Sequence, residues 1–546
     1  MFIRKKRSPN TPNRVSIQIV ESVRKADKIS QTIVKHIGIG ETEKEIQELW
    51  SLAESIKKSL IESRQPSLPL FDPQELCESK PIEEEALNVN LKNLREEQRY
   101  NEGIIEVFGK LYDELGFNKI FKDKSNVNNS ILKSCVLARL ANPSSKLRTS
   151  SLLEDDFAIS LPVQKIYRMM TRLGKQSDTL QSLVKSATLN LVNNKVNVLL
   201  YDVTTLYFES FRDDELRDFG FSKDCKFKEV QVVLSLVTTE HGLPIQYQVF
   251  PGNTQEIKTL MPFIEKLKKD FTVENIDFAA DRGMFSQENI KKLEEANIQY
   301  VVAAKLKNMS KDIKEEILKV KNENPKDEYK TIEITYKDKR LIVAYSPTRA
   351  KKDKQDRERL VKRLAKFTSK DGNIDLKKLV NNQGTKKYLK FNKENSNSAT
   401  INSEKIELDS KWDGIFGYIT NSQSSADKII ERYKNLWVIE DSFRINKHDL
   451  KIRPIFHFKQ NRIKAHLDIC FLTYALARQM MYRYRVQFTE SLSFDVIRNE
   501  LLAVQASLLV DIKNKDKYIM PSKASPIAKK LYKIMGIKKS STPYKI

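Results

Sequence analysis

Three apolar runs of strand length, Val196 to Tyr201, Val230 to Val237 and Pro244 to Phe250, follow one another closely, and after them strands alternate with helices. A helix is expected over Glu256 to Lys269, then strands at Asn275 to Ala280 and Gln299 to Ala304 around a short helix. Three neighbouring strands followed by alternation demand a mixed α/β sheet with helices packed on it. The rest of the chain must be arranged around that sheet.

Upstream, two β-branched stretches, Val15 to Val20 and Ile29 to Ile37, joined by the charged connector Arg24 to Lys28, predict a hairpin, and a helical pattern follows from Glu43 to Ser63. Pro66, Pro69, Pro73 and Pro81, ending in Glu83 to Glu85, have the composition of a linker. From Glu96 to Leu191 the spacing is helical, with helices expected at Gln98 to Leu115, Ser130 to Leu140 and Asp178 to Leu191. Downstream of the sheet, a lysine-rich region from Lys305 to Lys411 carries its own strand signals, Lys330 to Tyr336 and Arg340 to Tyr345, and reads as an insertion. A strand at Gly414 to Ile419, a long helix from Ser425 to His448 and a nearly all-apolar helix from Ile463 to Met481 resume the core. The resulting division is an N-terminal hairpin and helix at 1–65, a linker at 66–95, a helical domain at 96–190, a core split between 191–307 and 411–485, an insertion at 308–410 and a basic C-terminal region at 486–546.

Lys and Arg total 96 against 72 Asp and Glu, a net charge of +24, so a large polyanion is the partner this surface attracts, with nucleic acid foremost. The four cysteines, Cys77, Cys135, Cys225 and Cys470, form no Cys-x-x-Cys pair, and the five histidines form no His-x-x-x-His pair. A reducing cytoplasm fits, and any catalytic metal has to be held by oxygen. The longest apolar run is broken by Asp468 and Arg478, and Met1 to Arg7 leads into Ser8-Pro9-Asn10, so neither a membrane span nor secretion is expected.

Asp202 directly follows one apolar strand run and Asp281 directly follows another. If those strands are adjacent and parallel, the two carboxylates emerge together at one edge, where their repulsion calls for a divalent cation. On the long helix, Tyr433, Glu440 and Lys447 recur at seven-residue steps with Arg444 four residues after Glu440, beside an apolar stripe of Ile429, Leu436, Ile439 and Phe443. Docked by that stripe, the helix points Glu440 at the aspartates and its bases at an anionic ligand. Three oxygen donors around two Mg²⁺ ions serve in-line displacement at phosphorus. The plain alternatives are an aspartate capping a turn and a Glu–Lys pair on a solvated face.

Tyr433-x2-Leu436-x3-Glu440-x6-Lys447 resembles the Tyr-x2-Arg-x3-Glu-x6-Lys signature of DDE transposases of the Insertion Sequence Four-like superfamily. Supporting the resemblance are Tyr201 to Glu209, Gly242-Leu243-Pro244, Gly252-Asn253-Thr254, Asp281 to Phe285 and Arg453 to His457, in the family's order. It implies a ribonuclease-H-like mixed-sheet core with a strand-containing insertion after a mainly helical N-terminal region. It implies Asp202, Asp281 and Glu440 as a catalytic, metal-binding triad using Mg²⁺, with Mn²⁺ able to substitute, and Tyr433 and Lys447 on the DNA backbone. The implied activity is nicking at the terminal inverted repeats of an insertion sequence and joining of the freed 3′-hydroxyls to target DNA. A homodimer on double-stranded DNA in the bacterial cytoplasm, associated with the nucleoid, goes with it. Leu436 departs from the signature's Arg, and Arg444 or Arg432 is expected to replace that phosphate contact. Within the insertion, Arg349 to Lys370 holds ten Lys or Arg against three acids, with Leu360, Leu364 and Phe367 on one face. It reads as a DNA-backbone clamp through Arg349, Arg357 and Lys362, the alternative being a solvated helix. Trp412 and Trp437 are assigned to core packing ahead of stacking on a base. A nuclease of the same fold and a non-catalytic, domesticated DNA-binding relative are the competing functions.

Overall fold

The computed structural model describes most of residues 2–57 together with residues 89–122, 126–270, 276–323, 327–369, 374–375, 385–391 and 398–546, in two units, Met1–Asn88 and Val89–Ile546. In the first unit, β1 (Phe2–Ser8), β2 (Thr11–Lys25) and β3 (Lys28–Gly40) form an antiparallel sheet in that order. Val15, Ile17 and Ile19 alternate onto the buried face, and a register shift between Ile19 and Val20 turns Val20 inward as well. Most of the linker expected at 66–95, and the end of the helix expected over 43–63, lie outside the described residues.

The second unit opens with β4 (Leu94–Asn101), where a helix was expected from Gln98. Its Leu-Arg-Glu-Glu-Gln-Arg-Tyr-Asn sequence has no strand signature; it is a strand because it pairs with β16 (Gln505–Asp511), some four hundred residues away, in a sheet with β17 (Lys517–Pro521) and β18 (Tyr544–Lys545). Helices α1 (Gly109–Glu114), α2 (Val127–Ala141), α3 (Lys146–Phe157), α4 (Val163–Leu173) and α5 (Ser177–Leu191) follow.

The main sheet has eight strands in the order β10-β11-β15-β9-β8-β5-β6-β7. These are β5 (Val198–Tyr207), β6 (Gln231–Thr239), β7 (Pro244–Pro251), β8 (Asp277–Ala280), β9 (Gln299–Ala303), β10 (Lys330–Tyr336), β11 (Lys339–Tyr345) and β15 (Ile415–Thr420). β5, β8 and β9 are parallel neighbours, and every other pairing is antiparallel. The strand pair expected inside the insertion therefore extends the edge of this sheet through β11 and β15. Between them and β15 come α9 (Pro347–Ala365), a small sheet of β12 (Ile374–Asp375), β13 (Leu389–Phe391) and β14 (Ser398–Ile401), and α10 (Ser403–Ser410).

Helices cover both faces. On one, α6 (Glu256–Asp270) and α7 (Gln287–Glu295) bury Phe263, Leu267 and Leu293 against Leu199, Tyr201, Phe278 and Ala280. On the other, Val198, Leu200, Leu206 and Ala279 join the core of α2, α4, α5 and the central α13 (Gln460–Phe488). α8 (Lys311–Asn322) packs on β11. The helix expected unbroken over 425–448 is interrupted: α11 (Ala426–Lys434) ends at Asn435, α12 (Trp437–Arg444) begins after Leu436, and a π turn covers Ile445–Asp449. Asn435, at the interruption, is a weak helix former, and Arg432 in the turn before it pairs with the buried Asp277. Helices α14 (Phe494–Leu502) and α15 (Pro526–Ile534) complete the unit. Among the described residues no helix is long and apolar enough to cross a membrane.

Inside α13, Asp468 is fully buried and accepts hydrogen bonds from Ser177 Oγ and Tyr247 Oη, each at 2.6 Å. Burial pushes its carboxyl up to about 7, against the two hydrogen bonds, which lower it. The folded state thus keeps a proton that the unfolded chain releases near pH 4, so this group's contribution to stability falls as pH rises from about 4 to 7. Asp468→Asn, which cannot ionise, is expected to gain stability relative to wild type by roughly 1–4 kcal/mol between pH 5 and pH 8. Urea unfolding at the two pH values checks this, and a pH-independent difference would refute it.

Candidate active site

The strand pairing decides which acids meet. β5 and β8 run parallel in register, Val198 opposite Asp277 through Tyr201 opposite Ala280, so Asp202 and Asp281 occupy the next level on adjacent strands. Neighbouring strands lie about 4.8 Å apart. Alternation places Asp202 on the face of Leu200 and Leu206, and Asp281 on the face of Ala279, which is the face that α12 covers with Val438, Ile439 and Phe443. Asp281 follows the end of β8, as expected. Asp202 does not end its strand: β5 continues to Tyr207, held by β6 along its whole length.

Asp202 is half-buried and Asp281 exposed. Each carboxylate accepts the next backbone N–H, from Val203 and from Arg282, at 2.7 Å, so Asp281 also caps the turn Arg282–Met284. Burial pushes the Asp202 carboxyl up to about 6; the nearby Glu256 and Asp281 charges add to the rise, and Lys223 opposes it. Lys223 Nζ donates to Val203 O at 2.6 Å and pairs with Glu256 at 2.6 Å, so a cation and a third carboxylate stand beside Asp202. Lys223 was not legible in the sequence, because the 208–230 loop that brings it in carries no motif. Glu256 starts an expected helix but comes beside Lys223 only through the packing of that helix on the sheet.

Glu440 is exposed on α12, and that helix is fixed to α13 by Asp441, which accepts from Arg478 Nη2 at 2.8 Å. The charges of Asp281 and Glu440 both bear on the Tyr433 hydroxyl, which burial above all raises to about 12, placing Tyr433 near both acids. Among the described residues no three His, Cys, Asp or Glu side chains are gathered as a closed metal site. The donors nonetheless fit a hard divalent cation: two carboxylates share one sheet edge, one of them carrying charge that burial disfavours, and a third stands on the helix over the same face.

The bases divide into two groups. Arg432 pairs with the buried Asp277 and donates to Ser424 Oγ at 2.7 Å, which removes it as a substitute for the signature arginine. Half-buried Lys447 pairs with Asp224 at 3.5 Å, and Arg453 with the same carboxylate at 2.9 Å. Arg444 lies half in solvent between Asp441 at 2.9 Å and Asp449 at 3.4 Å. Leu436 packs against the core below α12. Arg357 is largely buried, its Nη2 2.7 Å from Asp413 Oδ2, whereas Lys362 and Arg349 on the same helix are exposed, Arg349 lying 5.0 Å over the Phe416 ring. Trp437 is 61% exposed, contrary to a core role.

Beginning one residue after Asp281, a groove of about 550 Å³ is lined by Arg282, Lys305, Lys307, Arg349, Trp412 and Tyr433, among others. Tyr433 stacks in it on Tyr418, ring centres 4.5 Å apart. The sequence alone does not mark Arg282, Lys305 and Lys307 as lining one groove. The signal was available in part, since Lys305 follows β9, the next parallel strand, at the same edge as Asp281.

Residues 194–476, just over half of the chain, match the family model described as transposase DDE domain. Among solved structures, the cryo-EM structure of piggyBac transposase synaptic complex with hairpin DNA is similar at 9% identity and a TM-score of 0.37, covering 74% of this chain and 77% of that one. No curated protein matches.

Arg357→Ala is expected to cost about 2–4 kcal/mol in denaturant unfolding, because it strands the buried Asp413 carboxylate. Arg349→Ala should leave stability within about 0.5 kcal/mol of wild type. Equal destabilisation by the two would contradict this division between structural and groove-facing arginines.

Proposed function

The chain belongs to the transposase DDE domain family, and on that premise we propose that it is an insertion-sequence transposase, cleaving DNA at terminal inverted repeats and joining the freed 3′-hydroxyls to target DNA. The observation that carries this reading is the level placement of Asp202 and Asp281 on adjacent parallel strands, on the face covered by the helix of Glu440. The strand order β7-β6-β5-β8-β9, three antiparallel strands followed by two parallel ones, supports a ribonuclease-H-like core over 191–307 and 411–485 with 308–410 as its insertion. We assign the 96–190 region to end binding or dimerisation, and a homodimer to the paired DNA ends.

Asp202, Asp281 and Glu440 would hold a pair of Mg²⁺ ions, replaceable by Mn²⁺, which when bound activate the attacking water or 3′-hydroxyl and stabilise the leaving oxygen. The chain's other residues bind and orient the DNA. Arg282, Lys305 and Arg349 line the groove beside Asp281 and attract the phosphodiester backbone, while the Tyr418–Tyr433 stack forms its apolar wall. Arg444 and the exposed Lys362 extend this basic surface, and Lys447, held with Arg453 by Asp224, adds positive charge to it. The ion pair of Arg357 makes it a support of α9 and not a direct contact.

With Mg²⁺, wild-type protein is expected to nick supercoiled plasmid carrying the element's ends, and Glu440→Gln to lose at least about 100-fold of that rate while still binding the ends. Equal cleavage by both proteins would overturn the reading. A strand-transfer assay with pre-cleaved ends separates joining from hydrolysis alone.

A further inference from the structure

Away from the carboxylates, a cavity of about 170 Å³ lies between the N-terminus of α3 and the segment that enters α13. Its lining includes Arg139, Lys146, Lys451, Arg453, His457 and His466, and no carboxylate among the described residues. Lys146 is only 4% exposed, and its ammonium has no hydrogen-bond or ion-pair partner among the described residues. Arg139, also 4% exposed, donates through Nη2 to Lys451 O at 2.7 Å, but its Nε is buried without an acceptor. The His466 ring bonds Ile452 O at 2.9 Å, so the nitrogen facing that carbonyl carries the proton. The Lys146 pKa falls to about 8, first through burial and then through Arg139, and that of His457 falls to about 4 for the same reasons, burial and neighbouring cations.

A lysine is rarely buried without a counter-charge, because desolvating an ammonium costs several kcal/mol unless an anion meets it. Here two such cations line one cavity, and the first turn of the twelve-residue α3 adds its positive dipole end. The volume is below the range of sites for drug-sized ligands and suits a single tetrahedral oxyanion. We propose that this cavity is a phosphate site, built by Arg139, Lys146 and His457, which receives one phosphodiester of a bound DNA strand.

The DNA source is favoured over free phosphate by continuity with the sheet edge, and in this the inference rests on the proposed function. Arg453, on the cavity wall, lies 5.7 Å over the ring of Tyr207, and Ile455 N donates to Tyr207 O at 3.2 Å. Tyr207 ends the strand that carries Asp202, about 17 Å away along β5, the length of roughly five nucleotides of one DNA strand. The exposed Phe456 stands at the mouth.

The test compares wild type with Lys146→Met, which replaces a buried charge by an apolar chain of similar length. The variant is expected to melt no lower than wild type in chloride buffer. Inorganic phosphate at matched ionic strength should raise the wild-type melting temperature by about 2 °C and leave the variant unmoved. For a duplex of arbitrary sequence, the slope of log K against log salt should fall by about 1 in the variant, with several-fold weaker binding at low salt. A phosphate effect confined to wild type with an unchanged DNA slope would overturn the DNA assignment in favour of free phosphate. No phosphate effect on wild type and no change in slope would overturn the site. None of these readouts uses cleavage, so the Glu440→Gln assay judges the transposase reading separately.

Discussion

The parallel pairing of β5 with β8 is the constraint on which the proposed chemistry depends. It sets two carboxylates side by side that would otherwise repel each other apart, and it does so with apolar material: Leu199, Tyr201, Phe278 and Ala280 lock one face while Leu200 and Ala279 lock the other. A slip of one residue in that register would send Asp281 to the opposite face and separate the pair. The unfavourable charge at Asp202 is therefore imposed by packing, and Lys223 offsets only part of it.

The same economy governs the basic residues. A chain with a charge of +24 has cations to spare, yet those of the signature region are held by named acids. Arg432 ties α11 to the start of β8, and Lys447 and Arg453 converge on Asp224. These pairs set the position of Tyr433 and of the helix bearing Glu440. The exposed bases at the sheet edge, Arg282, Lys305 and Arg349, line the groove, Arg349 with a long 3.9 Å pairing to Asp353 on its own helix.

Much of the sheet was legible because its strands are locally apolar. The runs expected at 230–237, 244–250, 330–336 and 340–345 lie within a residue or two of β6, β7, β10 and β11. What failed was set by distant partners. β4 is polar and is a strand only because β16 pairs with it. The break in the 425–448 helix falls at Asn435, a weak helix former, and the seven-residue spacing of Tyr433 and Glu440 gave no sign of it. The charge of α9 was visible, but the split between Arg357, turned inward to Asp413, and Arg349, turned to the groove, was not. Arg139 and Lys146 gave no motif at all, and the Arg453 to His457 stretch gave no sign of a cavity, since the meeting of these residues depends on α2 and α3 packing against α13.

The central claim is that Asp202, Asp281 and Glu440 grip one pair of divalent cations when DNA is bound. A structure of the protein on its paired DNA ends, loaded with Ca²⁺ to hold the complex uncleaved, tests it directly. The account predicts oxygens of all three side chains within a few ångströms of metal ions about 4 Å apart, with α12 drawn down over the sheet edge. Carboxylates left more than about 10 Å from one another in that complex, too far to share the ions, would contradict it.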